Sequence, residues 1–152
     1  MGTDPELKKK RGPQNIGKNV AGKGSKIHII IGKNDALCVD ITGAQVHDSK
    51  KVEEMINFLN LDEIKRFVAD KAYDTNKIRD FLKKNDIHAE IPNKRNRKAP
   101  FRFDKTVYKW RHRIENLFQK LKENRRLCMR FDKLDCTFMA FVAIALIKLQ
   151  VC

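Results

Sequence analysis

Four residues of the segment "YKWRHRIENLFQKLK" are of types that can bind ions, phosphates or bases: Tyr108, Arg111, Glu115 and Lys122. At roughly 100° per residue, a helix would place all four within about 60° of one another, on the border of its apolar face. Two interpretations are open. Arg111 and Glu115 could form an ordinary ion pair at i, i+4 spacing, contributing about 0.2 to 0.5 kcal/mol. Alternatively, Glu115 is an active-site carboxylate, fixed by packing on one side and facing a cleft on the other.

The elements that would position this stripe alternate between strand-like and helix-like patterns. Alternating or continuously apolar runs predict four short strands: residues 26–31, 36–41, 65–70 and 87–91. Apolar residues at helical spacing predict four helices: residues 48–59 and 74–85, with Asp48 and Asp74 as N-caps, residues 104–123, and residues 135–150. The turn "GKND" makes the first two strands a hairpin. This order is typical of an α/β fold with a mixed sheet.

Positive charge dominates the chain, with a formal net charge of +14 over 152 residues, a length that fits one domain. Much of this charge is clustered. Residues 1–25 are rich in glycine and lysine and lack apolar periodicity, which predicts a basic loop, and residues 92–102 form a second basic loop. Clustered positive charge favours a polyanionic partner, either nucleic acid or an anionic membrane surface.

Cysteine spacing and hydropathy argue against two other classes of protein. The four cysteines contain no C-x-x-C pair, and the four histidines do not fall at zinc-finger spacing to them, which argues against a structural zinc site. The run "FMAFVAIALI" has ten apolar residues, too few to cross a bilayer, and predicts a buried helix rather than a membrane contact. The first residues lack the apolar core of a signal peptide, so we expect reduced cysteines and a cytoplasmic protein.

The spacing of the polar stripe resembles a known signature. Tyr108, two residues, Arg111, three residues, Glu115, six residues and Lys122 is similar to the Y-R-E-K signature of bacterial insertion-sequence transposases of the DDE type. Other segments resemble successive parts of the same family: "KKRGPQNIGKN…GKGSKIH", "VADKAYDTN", "IPNKRNRKAPFRFDK" and "RRLCMRFDKLD…FMAFVAIALI". The resemblance extends from Lys8 to the C-terminus and therefore covers almost the whole chain.

This resemblance implies an RNase H-like, or retroviral-integrase-like, fold with a mixed sheet and flanking helices over residues 26–152. Transposases of this type use two Asp and one Glu to bind two divalent metal ions, Mg²⁺ or Mn²⁺, which activate water and then a DNA 3′-hydroxyl. The second Asp corresponds to Asp70 of "VADKAYD" and the Glu to Glu115, so both are expected to bind metal. Asp74 is the competing choice, but its position suits an N-cap better.

The resemblance also implies how the chain contacts DNA. Arg111 and Lys122 would neutralise phosphates beside the metal site, and Tyr108 would stack on a base or bond a phosphate, although boundary packing explains the tyrosine equally well. Basic residues on both sides of the catalytic helix would bind the DNA backbone: Lys94, Arg95, Arg97, Lys98, Arg102, Arg125, Arg126 and Arg130. The expected partners are double-stranded transposon ends and target DNA, and the complete protein is expected to be a homo-oligomer.

The first catalytic Asp of the family pattern has no counterpart in this sequence. In the family it lies on the first strand of the sheet, upstream of "KKRGPQ", and Asp4 stands in a turn-like context that does not fit the role. The expected fold is therefore incomplete, because the strand between the hairpin and the strand ending at Asp70 is missing. We expect the chain to be inactive alone. Two alternatives stay open: a transposase remnant that binds DNA without chemistry, and an RNase H-like nuclease.

An incomplete sheet leaves strand edges without partners, and unpaired edges promote association. We therefore expect the isolated chain to be less stable than a complete domain and to self-associate. Sedimentation and thermal unfolding followed by circular dichroism check this expectation. A cooperative unfolding transition at high temperature by a monomer would contradict it.

Overall fold

Strands and helices alternate along the chain, and the structure, a computed structural model, describes residues 14–20, 22–33 and 36–151. The strands are β1 (Gly17–Asn19), β2 (Gly22–Ile31), β3 (Ala36–Gly43), β4 (Arg66–Val68) and β5 (His88–Glu90). The helices are α1 (Asp48–Asn57), α2 (Asn76–Lys84), α3 (Lys105–Tyr108), α4 (Arg111–Glu123), α5 (Arg125–Met129) and α6 (Asp135–Val151). Single 3₁₀ turns cover Leu61–Glu63 and Lys71–Tyr73. The predicted α/β composition is confirmed.

The described strands form two separate sheets. One is antiparallel with the order β1-β2-β3, and the other is the parallel pair of β4 and β5. Ile27 lies opposite Ile41 in the first sheet, and Phe67 lies opposite Ala89 in the second. The predicted hairpin is therefore confirmed, with longer strands than expected. Two residues of its turn, 34 and 35, lie outside the described part of the chain.

The prediction of a basic loop over residues 1–25 is wrong where the structure describes that segment. Gly17–Asn19 is a strand that pairs with the start of β2, and β2 already begins at Gly22. Gly22 has a φ of 120°, a conformation that only glycine adopts easily, and it follows the reversal between the two strands. Glycine-rich strands pair through their backbones alone, so they leave no apolar alternation to detect. Residues 1–13 lie outside the described part.

Both predicted aspartate N-caps are wrong. His47 caps α1, where its ring Nδ1 accepts a hydrogen bond from Ser49 N at 3.3 Å, and Asp48 is the first helical residue. Thr75 caps α2 through a bond from Ile78 N to its hydroxyl at 3.3 Å. Asp74 is free for other partners because the hydroxyl of the next residue already satisfies the helix end.

The predicted helix over residues 104–123 is interrupted. Asp104 caps α3, which ends at Tyr108, and α4 begins at Arg111 after a tighter turn. The amides of Trp110 and Arg113 bond to carbonyls three residues back, at 2.9 and 3.0 Å, instead of four. Such i→i−3 bonds wind the chain more tightly than an α-helix. A constant rotation of 100° per residue therefore does not relate Tyr108 to Arg111, Glu115 and Lys122.

Two hydrophobic clusters build the core on the two faces of β2. The first packs α6 and the end of α4 against β3, with Leu121, Phe138 and Val142 buried. The second packs α1, α2 and β5 together around Leu82 and Ile91. Side chains of β2 alternate between them: Ile27 and Ile29 pack on the first, and Ile30 packs on the second.

The last helix was predicted to within one residue, but α5 was not predicted. Its five residues are too few for a periodic pattern, and Asn124 caps it by accepting a bond from Arg126 N at 3.2 Å. One face of α6 packs in the core, but Ile144 and Ile147 on the other face are 60% exposed, so the prediction of a buried helix is correct for one face only. Within the described residues, no helix combines the length and the apolarity that a membrane crossing requires.

The second cluster should be sensitive to a cavity. Leu82 is 0% exposed at its centre, so we expect Leu82→Ala to lower the free energy of unfolding by about 2 to 5 kcal/mol. The control is Leu37→Ala, the same substitution at a half-exposed residue, which should cost distinctly less. Urea unfolding of the two variants measures both values. Equal decreases in stability would contradict the central position of Leu82 in the cluster.

Candidate active site

Asp70 lies two residues beyond the end of β4. Its carboxylate accepts a hydrogen bond from Lys71 N at 2.6 Å and caps the 3₁₀ turn that follows the strand. The strand was predicted to reach Asp70 itself, but it ends at Val68. The parallel pairing with β5 and the capped turn together fix the position of this carboxylate at the edge of the sheet.

The guanidinium of Arg111 joins Asp70 to Glu115. Its Nη2 lies 3.4 Å from Asp70 Oδ2, and its Nη1 lies 2.8 Å from Glu115 Oε1. The three side chains are 30 to 44% exposed, so these ion pairs contribute little to stability. The structure therefore brings together the two carboxylates that the sequence predicted, one from the end of β4 and one from α4, around one shared cation.

These residues border a cleft between β2 and β4. Two adjoining cavities of about 420 and 520 Å³ make up this cleft, and both are lined by Ile29, Ile30, Val68, Arg111 and Ile114. Asp70 and Glu115 line the smaller cavity. The carboxylates therefore lie at one end of a largely apolar space, which we call the strand cleft.

Strand edges without described partners line the strand cleft on two sides. Residues Ser25–Ile31 of β2 pair with β3, and β4 pairs with β5, but no described strand pairs with the other edge of either. Backbone amides and carbonyls need hydrogen-bond partners when they are buried. The cleft is therefore suited to accept an extended peptide segment.

Sequence reasoning missed several polar residues of the same cavity. Asp48 lines it and forms an ion pair with Lys26 at 2.9 Å. Burial, followed by the charges of Asp48 and Asp70, raises the pKa of Tyr73 to about 12. Burial also lowers the pKa of His28, whose ring Nε2 lies 2.7 Å from the Thr42 hydroxyl. The only signal for Asp48 was its place before a helix, which also fits a cap.

The described residues alone do not supply a complete set of ligands for a metal ion. Asp48 is a third carboxylate in the cavity, but it is held by Lys26. Among the residues that the structure describes, no group of three His, Cys, Asp or Glu side chains is close enough to hold a metal ion. Asp70 and Glu115 thus offer the hard oxygen ligands that Mg²⁺ prefers, but they are only two.

Tyr108 and Lys122 do not join this cavity. The Tyr108 ring packs edge-on against Phe103, with ring centroids 5.5 Å apart, while the Arg111 guanidinium lies 6.0 Å from its centre. Lys122 is exposed near the end of α4, and its carbonyl accepts a bond from Cys128 Sγ at 2.9 Å. The four-residue stripe is therefore divided: Arg111 and Glu115 belong to the site, and the other two flank it.

Three of the eight cations predicted to bind DNA are engaged within the chain. Arg97 pairs with Asp74 at 2.7 Å, Arg126 with Asp132 at 2.9 Å, and Arg130 with Asp135 at 2.5 Å. The other five form no ion pair within the described residues: Lys94, Arg95, Lys98, Arg102 and Arg125. Sequence spacing did not separate the two groups, because basic residues of both kinds lie side by side along the chain.

Asp74 is the centre of a buried ionic network. Its side chain is 0% exposed, and it accepts bonds from Arg79 Nε, Arg97 Nε and Lys94 N, each at 2.7 Å. Burial opposes its ionisation, but the bonds from Arg97, Lys94 N and Arg79 outweigh that effect and lower the pKa of Asp74 to about 2. The residue rejected as a catalytic candidate is thus a structural anion, not a helix cap.

Comparison with known proteins gives one family. The family model described as "Transposase DDE domain" matches residues 2–148. A Brucella ovis protein named for the transposase of insertion sequence element IS6501 is 39% identical over 79 residues, which is 51% of this chain and 61% of that protein. The match thus spans less than two thirds of that relative's length. No solved structure matches this chain.

The network around Asp74 should make stability depend on pH. Because the folded pKa lies below the ordinary value of 3.8, ionised Asp74 stabilises the fold at pH values above that, and the contribution is lost as the pH falls towards about 2. We expect Asp74→Asn to lower the free energy of unfolding by about 2 kcal/mol near neutral pH, and the difference to shrink below about pH 4.

Urea unfolding of both proteins over a pH series measures this dependence. The matched control is Asp80→Asn, at an exposed position of α2 that forms no ion pair within the described residues; it should change stability by at most about 0.5 kcal/mol. A difference between wild type and Asp74→Asn that stays constant down to about pH 2 would contradict the role of Asp74 as a structural anion.

Proposed function

The chain belongs to the Transposase DDE domain family, and from that premise we propose that it is the C-terminal part of a catalytic domain that cleaves and joins DNA strands at transposon ends. The observation that carries the proposal is the position of Arg111 between Asp70 and Glu115. These two acids come from different elements of the fold, yet they share one cation at the end of the strand cleft.

Asp70 and Glu115 are the proposed metal ligands. A bound pair of Mg²⁺ or Mn²⁺ ions would supply activation of water or of a 3′-hydroxyl and charge stabilisation at the attacked phosphate. The carboxylates fit such ions in chemistry, since they are half-exposed and line the cavity. Arg111 holds both in position, and its remaining N–H groups are available to neutralise a phosphate.

The strand cleft supports an RNase H-like arrangement. We assign it to a strand that carries the first carboxylate and lies between β2 and β4. The order would then be β3, β2, added strand, β4 and β5, which joins the two described sheets into one mixed sheet. Support comes from the strand edges without described partners and from the apolar side chains of Ile29, Ile30 and Val68 that line the space.

Double-stranded DNA is the proposed partner, both as transposon end and as target. The net charge of +14 supports binding to the phosphate backbone, as do the cations of residues 94–102 that form no ion pair within the described part of the chain. Tyr108 and Lys122 flank the cavity, and we assign them to DNA contacts beside the site. The complete protein would act as a homo-oligomer on chromosomal DNA in the bacterial cytoplasm.

One observation favours a second candidate function, DNA binding without chemistry. Within the described residues only two carboxylates share the site, and the third nearby acid, Asp48, is paired with Lys26. A transposase remnant would keep salt-dependent binding to DNA and lack cleavage. An RNase H-like nuclease would share the metal site, but it would hydrolyse DNA without joining strands.

The catalytic assignment is tested by restoring the sheet. An upstream segment that supplies a strand with an aspartate is fused ahead of residue 1, and Mg²⁺-dependent cleavage and joining of transposon ends are assayed. We expect Glu115→Gln to reduce both activities by more than the roughly 10- to 100-fold typical of outer-shell residues of a metal site. The control is Glu123→Gln, at an exposed residue of the same helix that does not line the cavity.

Retained cleavage in Glu115→Gln would refute the metal-ligand role. Cleavage without joining would favour the nuclease. DNA binding separates the remaining case: if the fusion binds DNA with an affinity that falls steeply with salt but never cleaves, the chain is a binding module.

A further inference from the structure

The loop between β5 and α3 is closed by one side chain. Asn93 donates a hydrogen bond from Nδ2 to the carbonyl of Phe101 and accepts one at Oδ1 from the Phe101 amide, both at 2.8 Å. This paired contact fixes the two ends of the segment Asn93–Phe101 side by side, so that the residues between them project from a common base. This segment lies within the second basic loop predicted from the sequence, and from here on we use the name basic loop for Asn93–Phe101 alone.

Asp74 connects the basic loop to the segment that precedes α2. Its Oδ2 accepts bonds from Lys94 N and Arg97 Nε, and Arg97 Nη1 reaches Asn76 Oδ1 at 2.9 Å. The loop therefore contacts the start of α2 through its backbone and through one side chain. Because these bonds converge on a single buried carboxylate, removing that carboxylate would release the backbone and the side chain together.

The carboxylate is itself fixed by a second arginine. Arg79 donates to Asp74 Oδ1 at 2.7 Å and to the Ile91 carbonyl at 2.8 Å. The guanidiniums of Arg79 and Arg97 lie 4.4 and 5.1 Å from the centre of the Phe101 ring. Two cations, one anion and one aromatic ring thus form the support under the loop, which lacks regular secondary structure of its own.

The outer side of the basic loop carries exposed cations. Arg95 and Lys98 lie between Asn93 and Phe101, and Arg102 comes directly after the loop. None of these three cations forms an ion pair within the described residues. Ordering a free loop costs conformational entropy of about 1 to 2 kcal/mol for each residue. A loop that is ordered before binding avoids that cost when it meets a ligand.

We propose that Asp74 is a positioning residue for DNA binding: it holds the basic loop in the conformation in which Arg95, Lys98 and Arg102 contact successive backbone phosphates. The inference rests on the proposed function, because it concerns how that function's DNA is bound. It assigns different roles to two neighbouring cations, since Arg97 supports the loop and Lys98 contacts the ligand.

The test compares two substitutions that make the same change of charge. Asp74→Asn and Asp80→Asn each remove one negative charge from the lining of the same cavity beside the loop, but only Asp74 accepts hydrogen bonds from loop atoms. Affinity of the full chain for a short mixed-sequence DNA duplex is measured by fluorescence anisotropy over a series of salt concentrations. Circular dichroism checks that each variant is folded.

Electrostatics alone and the positioning role predict opposite results. Removing a negative charge and freeing Arg97 would tighten DNA binding if charge were all that mattered. The positioning role predicts weaker binding by Asp74→Asn, with a slope of log affinity against log salt that is shallower by about 0.9 for each phosphate that the loop no longer reaches. Asp80→Asn should bind as tightly as wild type or more tightly.

A second pair of variants tests the role if Asp74→Asn fails to fold. Arg97→Met removes the loop's side of the ion pair and leaves Asp74 paired with Arg79, whereas Lys98→Met removes one outward cation. Lys98→Met should lower the salt slope by about 0.9, the value for one phosphate. Arg97→Met should lower it by more, because a loop without its anchor no longer presents several cations to the backbone.

The outcomes separate this inference from the function on which it rests. If the wild-type chain shows no salt-dependent binding to duplex DNA, the proposed function fails and the positioning role fails with it. If wild type binds, but Asp74→Asn binds as tightly or Arg97→Met changes the slope no more than Lys98→Met, only the positioning role is overturned. Weaker binding by Asp74→Asn, with unchanged or tighter binding by Asp80→Asn, supports it.

Discussion

The strand edges without described partners on the two sides of the strand cleft are the feature that organises this part of the molecule. β2 bonds only to β3 and β1, and β4 bonds only to β5, within the described residues. Side chains of α1 and α4 line the space between the two sheets, so these helices set the distance between the strand edges. The acidic residues lie at its end because one follows β4 and the other lies on α4. The two acidic residues and the strand edges without described partners therefore border the same gap.

Intramolecular ion pairs divide the large positive charge into two parts with different roles. Arginines that meet a buried or half-buried aspartate join segments of the fold: Arg97 joins a loop to the start of α2, and Arg130 lies close to the start of α6. Cations such as Arg95 and Lys98 add little to the fold, because no described acid pairs with them. The total of 33 lysines and arginines thus overstates the number of cations available to a polyanion, while the clustering of those without a described acidic partner makes them more effective.

Local patterns predicted the elements well where side chains alternate or recur at regular spacing. The hairpin and α6 could be predicted from these patterns. The proximity of Asp70 to Glu115 could be predicted too, but from the family resemblance rather than from periodicity. Glycine-paired β1 and the five-residue α5 have no such pattern. The cap of α2 was misassigned for another reason: Asp74 and Thr75 are both good N-caps by residue type, and Asp74 instead pairs with Arg97, which is distant in sequence. Pairing between distant residues leaves no trace in a single sequence.

The interruption between α3 and α4 could not be predicted from the sequence for a related reason. No proline or glycine marks it, and each residue from Tyr108 to Arg111 is compatible with a helix. In the folded chain Tyr108, the last residue of α3, packs on Phe103, which the spacing of residues does not reveal. Angular arithmetic from Tyr108 therefore fails across the interruption, whereas Lys122 lies outside the site for a different reason: it is about two turns beyond Glu115 on α4.

Closure of the basic loop by Asn93 has a consequence for how such proteins can diverge. Because the amide of one side chain joins the two ends, the spacing of Asn93 and Phe101 is held by that contact and not by the exposed residues Arg95 and Lys98 between them. Substitutions at these exposed positions would change the surface presented to a ligand, while Arg97, paired with Asp74, keeps the loop attached to the start of α2. New binding preferences can thus arise at the exposed positions of the loop without disturbing Asp70 and Glu115 at the end of the strand cleft.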